Sequence, residues 1–361
     1  MNDQHYMSRA IELAMKGGGW VNPNPQVGAL VVKDDRIIAE GYHARYGKAH
    51  AERIALAACT ESPAGATLYV TLEPCCHTGK TPPCTEAIIQ SGISHVVIGS
   101  SDPNPQVNSR GVDELLRAGI TVESGFMKER CDQINRIYFH YMAHHTPYVL
   151  AKYAMTLDGK AATRTGASRW ISGEEARKDV HHLRNRYAAI MVGINTVLSD
   201  DPLLTCRAEG GKNPLRIVCD SQLKIPLESQ IAQTAREVPT LIATVTCNQA
   251  RQQQLEALGC SVELLPAKEA RVDLKAFIEV IGKAGIDSIL LEGGSELLGS
   301  AFDAAIVQAV RCYISPQLFG GNEAPSPLGG RGVATPQDSF KLRGVEVSFF
   351  GNDFCIEGEV E

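Results

Sequence analysis

Strand-like runs alternate with helix-like runs along this chain, stop at His144-His145-Thr146-Pro147, and then begin again. Before the break, residues 3–16 carry Tyr6, Met7, Ala10, Ile11 and Ala14 on one helical stripe. The β-branched run 27–32 is followed across Lys33-Asp34-Asp35 by 36–40, as in a hairpin. Helix patterns at 50–59, 83–91 and 111–118 then alternate with strand patterns at 67–72, 96–99 and 120–123. After the break, strands are expected at 148–155, 189–192, 215–219, 240–245 and 288–292, and helices at 173–187, 248–258 and 273–284. A terminal hairpin pairs 346–350 with 354–357 around Gly351-Asn352-Asp353. Such alternation predicts α/β layers over a parallel or mixed sheet. With 361 residues it predicts two domains, 1–145 and 146–361, each able to bury its own core. No internal repeat relates the halves.

Charge narrows the function classes. Lys and Arg number 35 against 41 Asp and Glu, with 13 against 15 in residues 1–145 and 22 against 26 in 146–361. A net charge of −6 argues against a nucleic-acid binder relying on bulk positive charge. No apolar run reaches the ~18 residues of a transmembrane helix. Met1-Asn2-Asp3-Gln4-His5-Tyr6 lacks the basic and apolar regions of a signal peptide, so a cytoplasmic protein with no membrane partner is expected. The eleven cysteines are an odd number, and a reducing compartment would keep them as thiols. Cys219 and Cys312 read as small buried hydrophobes.

Cys75, Cys76 and Cys84 need a separate account. His50-Ala51-Glu52 opens the helix at 50–59, Pro74-Cys75-Cys76 follows the strand at 67–72, and Cys84 follows Pro82-Pro83 at the next helix start. One imidazole and two thiolates supply three zinc ligands, and a catalytic zinc leaves its fourth position to water, whose pKa it lowers. Helix N-termini favour thiolate over thiol. Glu52 has the reach to take that water's proton and pass it to a leaving amine. A structural zinc knot in a binding module would instead be closed by four ligands. The deaminase signature is H-x-E with P-C-x-x-C. Here Cys75 and Cys84 flank an eight-residue insert, 76–83, and on spacing alone Cys76 competes as a ligand.

The stretch Thr71-Leu72-Glu73-Pro74-Cys75-Cys76-His77-Thr78-Gly79-Lys80-Thr81-Pro82-Pro83-Cys84 resembles the deaminase domain of the bifunctional riboflavin-biosynthesis deaminase/reductases. Asn22-Pro23-Asn24-Pro25-Gln26-Val27-Gly28, Gly41-Tyr42-His43 and Asp102-Pro103-Asn104-Pro105 resemble that family's other landmarks. The resemblance implies a cytidine-deaminase-like α/β/α domain with one Zn2+ held by His50, Cys75 and Cys84, and Glu52 as proton shuttle. The family residue matching Cys76 is often a serine. The implied substrate is a diaminopyrimidinone ribosylamine 5′-phosphate, deaminated by water at the pyrimidine 2-amino carbon. A phosphorylated substrate calls for a cation and N–H donors. Lys80 beside Gly79, with His77 and Asn104 as neighbours and His43 as a further contact, are the candidates. The rival reading is a zinc deaminase of another nucleobase, of the transfer-RNA type, fused to a nucleotide-binding domain. The mildly acidic first half opposes it.

In the second half, the stretch from Leu290 through Gly293-Gly294-Ser295 to Gly299-Ser300 reads as a strand, a glycine turn and a helix start, where backbone N–H groups can cradle a pyrophosphate. It is not G-x-G-x-x-G, so an ordinary Rossmann domain is disfavoured. Ala154-Met155-Thr156-Leu157-Asp158-Gly159-Lys160, Ser168-Arg169-Trp170-Ile171-Ser172 and Asn195-Thr196-Val197-Leu198-Ser199-Asp200-Asp201-Pro202-Leu203-Leu204-Thr205 resemble the reductase domain of the same family. That implies a dihydrofolate-reductase-like α/β fold and NADPH reduction of a ribosyl group to ribityl. By position, NADPH should meet Ala154, Trp170, Thr196, Asp200, Ser221 and the turn Gly294, Ser295, Glu296, Leu297, Leu298, Gly299 and Ser300. Substrate should meet Ser168, Arg184, Leu204, Arg207 and Glu292. Arg184 and Arg207 could clamp a phosphate, and Glu292 could accept bonds from sugar hydroxyls. His181-His182 reads as a pair of solvated helix residues. The expected partner is a small phosphorylated pyrimidine, and the expected assembly a homo-oligomer.

Overall fold

The computed structural model describes residues 3–104 and 107–361. Pro105, part of one sequence landmark, lies outside them. The chain divides into two units, Met1–His144 and His145–Glu361.

The first unit runs α1 (Asp3–Met15), β1 (Gly28–Lys33), β2 (Arg36–Tyr42), α2 (Ala51–Ala57), β3 (Thr67–Leu72), α3 (Cys84–Ser91), β4 (His95–Ser100), α4 (Arg110–Arg117), β5 (Thr121–Ser124), α5 (Lys128–Ile134) and α6 (Arg136–His144). Its five-stranded sheet has the order β2-β1-β3-β4-β5, antiparallel among the first three strands and parallel beyond them. Strand alternation splits the apolar residues between two faces. Leu30, Val32, Tyr69 and Val97 pack with the stripe of α1, while Ala29, Val31, Leu68, Val70, Val96 and Ile98 pack with Ala51, Ala55, Ile88 and Leu115. The result is an α/β/α layer order, as expected.

Close helix approach decides where the chemistry will sit. A Cβ on Gly41 would lie 2.4 Å from Ala51 O and 2.5 Å from Ala55 N, so only glycine lets α2 rest this tightly on β2. Helices α5 and α6 are not apparent from the sequence pattern. They are short, α5 follows Met127 at φ 55°, and they are parted by Asn135, whose side chain is spent on the backbone of Gln26.

The second unit runs β6 (Tyr148–Thr156), α7 (Glu174–Arg186), β7 (Ala189–Gly193), α8 (Ile194–Asp200), β8 (Leu215–Cys219), α9 (Gln230–Gln233), β9 (Thr240–Thr244), α10 (Gln249–Ala257), β10 (Ser261–Leu264), β11 (Ala267–Lys268), β12 (Arg271–Val272), α11 (Leu274–Lys283), β13 (Ser288–Leu291), α12 (Ser295–Asp303), β14 (Ala309–Ser315), β15 (Leu342–Phe350) and β16 (Asp353–Val360). A nine-stranded sheet orders them β10-β9-β8-β7-β13-β6-β14-β16-β15, parallel as far as β14 and antiparallel through the last two. The chain first adds strands outward from β7 to β10, then returns to insert β13 between β6 and β7. That reversal opens a crevice at the carboxyl ends of β6, β7 and β13, where α/β sheets bind ligands. The core beneath it gathers Val149, Ala151, Met191, Ile217, Ile289, Leu291, Phe277 and Phe302.

Strand β14 is another unpredicted element. Arg311 interrupts its apolar pattern, but the guanidinium is neutralised by Asp179 at 2.7 Å and by Glu357 on β16. Cys312 is buried, as expected; Cys219 is only partly so.

Candidate active sites

His50 is the N-cap of α2, Cys75 lies just beyond β3, and Cys84 is the first residue of α3. Cys84 N and Thr85 N donate to Cys75 O at 3.0 and 3.2 Å, fastening the start of α3 to the end of β3. His50 Nδ1 lies 3.4 Å from each of the Cys75 and Cys84 sulfurs. One donor atom from each of the three residues falls within 4.8 Å of the others. Ligands around a tetrahedral zinc stand about 3.5 Å apart, so this donor set fits that ion. Cys76 is not in the group, and burial and Glu114 push its thiol up. The insert contributes Thr81, whose hydroxyl lies 3.3 Å from His50 Nε2 and orients the ring from its far side.

Hydrogen bonds from Cys84 and His50 hold the Cys75 thiol below the ordinary thiol range, the direction a metal-binding thiolate needs. Glu52, the second residue of α2, is only 3% exposed. Burial, and then the neighbouring Cys75, push its carboxyl up to about 7. A carboxyl with that affinity can both take and release a proton near neutrality.

His50, Glu52 and Cys75 line a cavity of about 300 Å³. His43 lies in its wall, with Nδ1 3.1 Å from Ala49 O and Nε2 3.2 Å from Asn24 Nδ2. Burial lowers the His43 pKa, which favours the neutral ring. His77 also lines the cavity, and its Nδ1 is buried without a hydrogen-bond partner among the described residues. Lys80 stands at the rim with Nζ 4.0 Å from the centre of the Tyr46 ring. Asn104 is held by its backbone N–H to Asp102 Oδ1 at 2.9 Å, and Tyr138 donates to the same oxygen at 2.9 Å. Glu73 escaped the sequence reading. Its carboxylate accepts from Ser109 N, Gly111 N and Val112 N at 3.2, 3.1 and 3.3 Å, capping α4 and closing that wall.

In the second unit the glycine turn joins β13 to α12. Gly293 adopts φ 98°, a left-handed value that glycine supplies. Gly193 N donates to Gly293 O at 3.1 Å and Gly294 N to Thr196 Oγ1 at 3.0 Å, so the turn is pinned to the start of α8. The first N–H groups of α12 lack intrahelical partners, which suits a dinucleotide pyrophosphate. Within the stretch, Leu298 is a core side chain, and Gly299 is required by packing: a Cβ there would lie 2.3 Å from Gly329 O. Ser300 Oγ bonds Glu296 O at 2.8 Å. Ser221 Oγ accepts from Val272 N at 3.2 Å. Ala154 is half-buried on β6, and Ser168 is half-buried ahead of Trp170. Trp170 is 64% exposed, so it is not a core residue; Arg177 lies 4.7 Å from its ring centre. The Asp200 carbonyl accepts from Arg169 Nη2 at 2.5 Å.

The expected arginine clamp is arranged differently. Arg184 Nε and Nη2 both donate to Glu292, at 2.8 and 2.9 Å, and Nη1 donates to Thr205 O at 3.1 Å. Its fork is thus committed to Glu292. Lys152 on β6, missed in the sequence, adds a third charge 3.5 Å from Glu292. Burial works to raise Glu292, but Arg184 and Lys152 overcome it and hold the carboxylate at about 2. Arg207 is exposed and lies against the His181 ring, its backbone N 3.2 Å from Nδ1 and its Nε 3.1 Å from Nε2, and the one unprotonated ring nitrogen accepts from the N–H that faces it. His181 is therefore a loop anchor as well as a helix residue; burial, with Arg184 and Arg207, lowers it to about 4. Leu204 is buried at φ 52°.

A His/Cys/Cys cluster at two helix starts, with a buried glutamate beside it and an α/β reductase-type unit following in the same chain, defines a zinc deaminase fused to a nucleotide-dependent oxidoreductase. The family model described as the cytidine and deoxycytidylate deaminase zinc-binding region matches residues 1–100, and that of the RibD C-terminal domain matches residues 147–356. The riboflavin biosynthesis protein RibD of Actinobacillus pleuropneumoniae is 50% identical over 357 residues, covering 99% of this chain and 95% of its own. A diaminohydroxyphosphoribosylaminopyrimidine deaminase/5-amino-6-(5-phosphoribosylamino)uracil reductase from Thermotoga maritima superposes with a TM-score of 0.87 at 37% identity, covering 99% of this chain and 98% of that one. RibD of Acinetobacter baumannii gives 0.88 at 33% identity, covering 99% of each chain. The chain belongs to the RibD family of bifunctional riboflavin-biosynthesis enzymes. It is a deaminase and a reductase, with zinc and NADPH as cofactors.

Proposed function

We propose that the chemistry is divided between residues 1–145, which deaminate, and residues 146–361, which reduce. The substrate is 2,5-diamino-6-(5-phosphoribosylamino)pyrimidin-4-one, and the product of both steps is 5-amino-6-(5-phosphoribitylamino)uracil. The observation that carries the reading is the buried Glu52 beside the His50, Cys75 and Cys84 donors at the wall of a cavity with a lysine at its rim.

When bound by those three residues, zinc supplies activation of water near neutral pH. Glu52 takes the proton of the attacking water and returns one to the departing amine, so that ammonia leaves and a ring carbonyl remains. His77 Nδ1, buried and with no partner among the described residues, supports a polar ligand in the cavity. Lys80 meets the substrate phosphate at the rim, with Asn104 and His43 orienting the base. In the second unit, bound NADPH supplies the hydride. Thr196, Asp200, Trp170, Ala154, Ser221 and the turn 294–300 hold it. Arg184 and Lys152 fix Glu292 in its ionised form to receive sugar hydroxyls, and Arg207 with Ser168 and Leu204 bounds the substrate phosphate.

Small-molecule chemistry in the cytoplasm agrees with the acidic halves, and no helix among the described residues is long and apolar enough to cross a membrane. A homo-oligomer is supported by β15, an edge strand that exposes Val345, Val347 and Phe349 along one face. The test of function is direct: incubate purified protein with the diaminopyrimidinone ribosylamine phosphate, with and without NADPH. Mass spectrometry should show exchange of the amine for oxygen in both cases and a gain of two hydrogens only with NADPH. Unchanged substrate in both tubes overturns the reading.

A further inference from the structure

Strands β11 and β12 form a small hairpin outside the main sheet, turning through Glu269 and Ala270 at φ 51° and 61°. Its register sets Lys268 directly opposite Arg271. Residues opposed in this way share a face with Cβ atoms about 5 Å apart, and like charges so placed repel. Such a local conflict in an otherwise consistent sequence marks a place where something else has set the residue choice. An anion between the two cations would resolve it.

The hairpin's position says which anion. Val272 N donates to Ser221 Oγ at 3.2 Å, and the Val272 side chain packs into the core. Arg271 Nη1 reaches Glu296, on the first turn of α12, at 3.2 Å. Arg271 therefore bridges the region between Ser221 and the glycine turn, the two stretches proposed above to hold NADPH. The pyrophosphate at the start of α12 is common to NADPH and NADH, so the turn cannot tell them apart. A cation aimed beside it can.

We propose that Arg271, assisted by Lys268, binds the phosphate ester on the adenosine ribose of NADPH and so sets the preference for NADPH over NADH. The inference rests on the reading that Ser221 and the 294–300 turn hold the dinucleotide. Arg271 spends one nitrogen on Glu296, and its planar fork offers further N–H donors for a phosphate. The Arg271–Glu296 pair is exposed, at 62% and 56% of the two side chains, and such pairs hold weakly. A phosphate dianion can take the guanidinium from Glu296 at little cost.

The experiment measures dissociation constants of NADPH and NADH for the full-length wild type and for Arg271→Ala, Arg271→Lys and Lys268→Ala at one fixed ionic strength. Arg271→Ala should weaken NADPH by roughly 10- to 100-fold, the worth of a lost charge-assisted contact, and leave NADH where it was. Arg271→Lys should fall between, since an ammonium keeps the charge without the fork, and Lys268→Ala should lose less. If the wild type prefers NADPH and Arg271→Ala keeps that preference, or weakens both nucleotides alike, this inference fails alone. A wild type that binds both equally also overturns it. If the wild type binds neither nucleotide, the reductase reading falls and takes this inference with it.

Discussion

Glu52 is the second residue of α2, and His50, the N-cap before it, turns Nδ1 toward two sulfurs. This much was legible in the sequence because His50 and Cys84 sit where helices begin and Cys75 follows the end of a strand, and such element ends are marked by local chemistry. Glu52→Gln should keep about one zinc per chain, because the ligand set is intact, yet lose deamination by at least ~10²-fold. Near-normal ammonia release from that variant would remove Glu52 from the proton path. Spacing alone left Cys75 and Cys76 as rivals; only the turn of the backbone after Pro74 separates them. Cys75→Ser or Cys84→Ser should therefore strip the metal, while Cys76→Ser retains metal and activity. A metal-free Cys76→Ser beside a metallated Cys75→Ser would show the ligand register to be off by one. Thr81, Glu73 and Lys152 were not legible, for a common reason. Each acts on a residue distant in sequence: Thr81 on His50, Glu73 on the start of α4, and Lys152 on Glu292 across neighbouring strands. No local pattern records such a pairing.

At the level of elements, strands and helices with one apolar face were readable, since burial repeats with the period of the element. Those held by polar exceptions were not: β14 accommodates Arg311 through its ion pairs, and α5 and α6 are parted at Asn135, whose side chain bonds the backbone of Gln26. The position of α2 is the element-scale feature on which the zinc site depends. Gly41→Ala would set a methyl 2.4 Å from Ala51 O, so α2 must move and carry His50 and Glu52 with it. We expect a stability loss of about 1–3 kcal/mol, as for overpacking elsewhere, together with faster loss of zinc to a chelator. Gly65→Ala is the control: at φ 77° it is strained, but a Cβ there meets nothing within 4 Å, so it should lose stability without losing zinc. A Gly41→Ala protein that unfolds and releases zinc like the wild type would show that the close approach does not position the site.

On the scale of the whole chain, the restart of the strand–helix alternation after Pro147 was visible, whereas the strand order was not. Insertion of β13 between β6 and β7 places Glu292 beside Lys152, and nothing in the local pattern of residues 288–291 announces which strands will flank them. Zinc candidates all precede residue 85 and proposed NADPH contacts all follow residue 150. If the chemistry divides as the motifs do, a fragment of residues 147–361 should fold alone, since units of this size hold a sufficient core. Every strand of the nine-stranded sheet lies within it, and the Tyr148 N–H at its start is already engaged with Asp287 O at 2.8 Å. The fragment should bind NADPH with no zinc present. Of the chain's two tryptophans, Trp20 and Trp170, it retains Trp170, an exposed ring beside Arg177 that should be quenched by the nicotinamide or transfer energy to it. The fragment should also reduce the already deaminated ribosylamine and leave the diamino substrate unhydrolysed. A soluble, folded fragment whose Trp170 emission ignores NADPH would refute the division, and the turn at 293–299 would then be explained by packing against Gly329 and Thr196 alone.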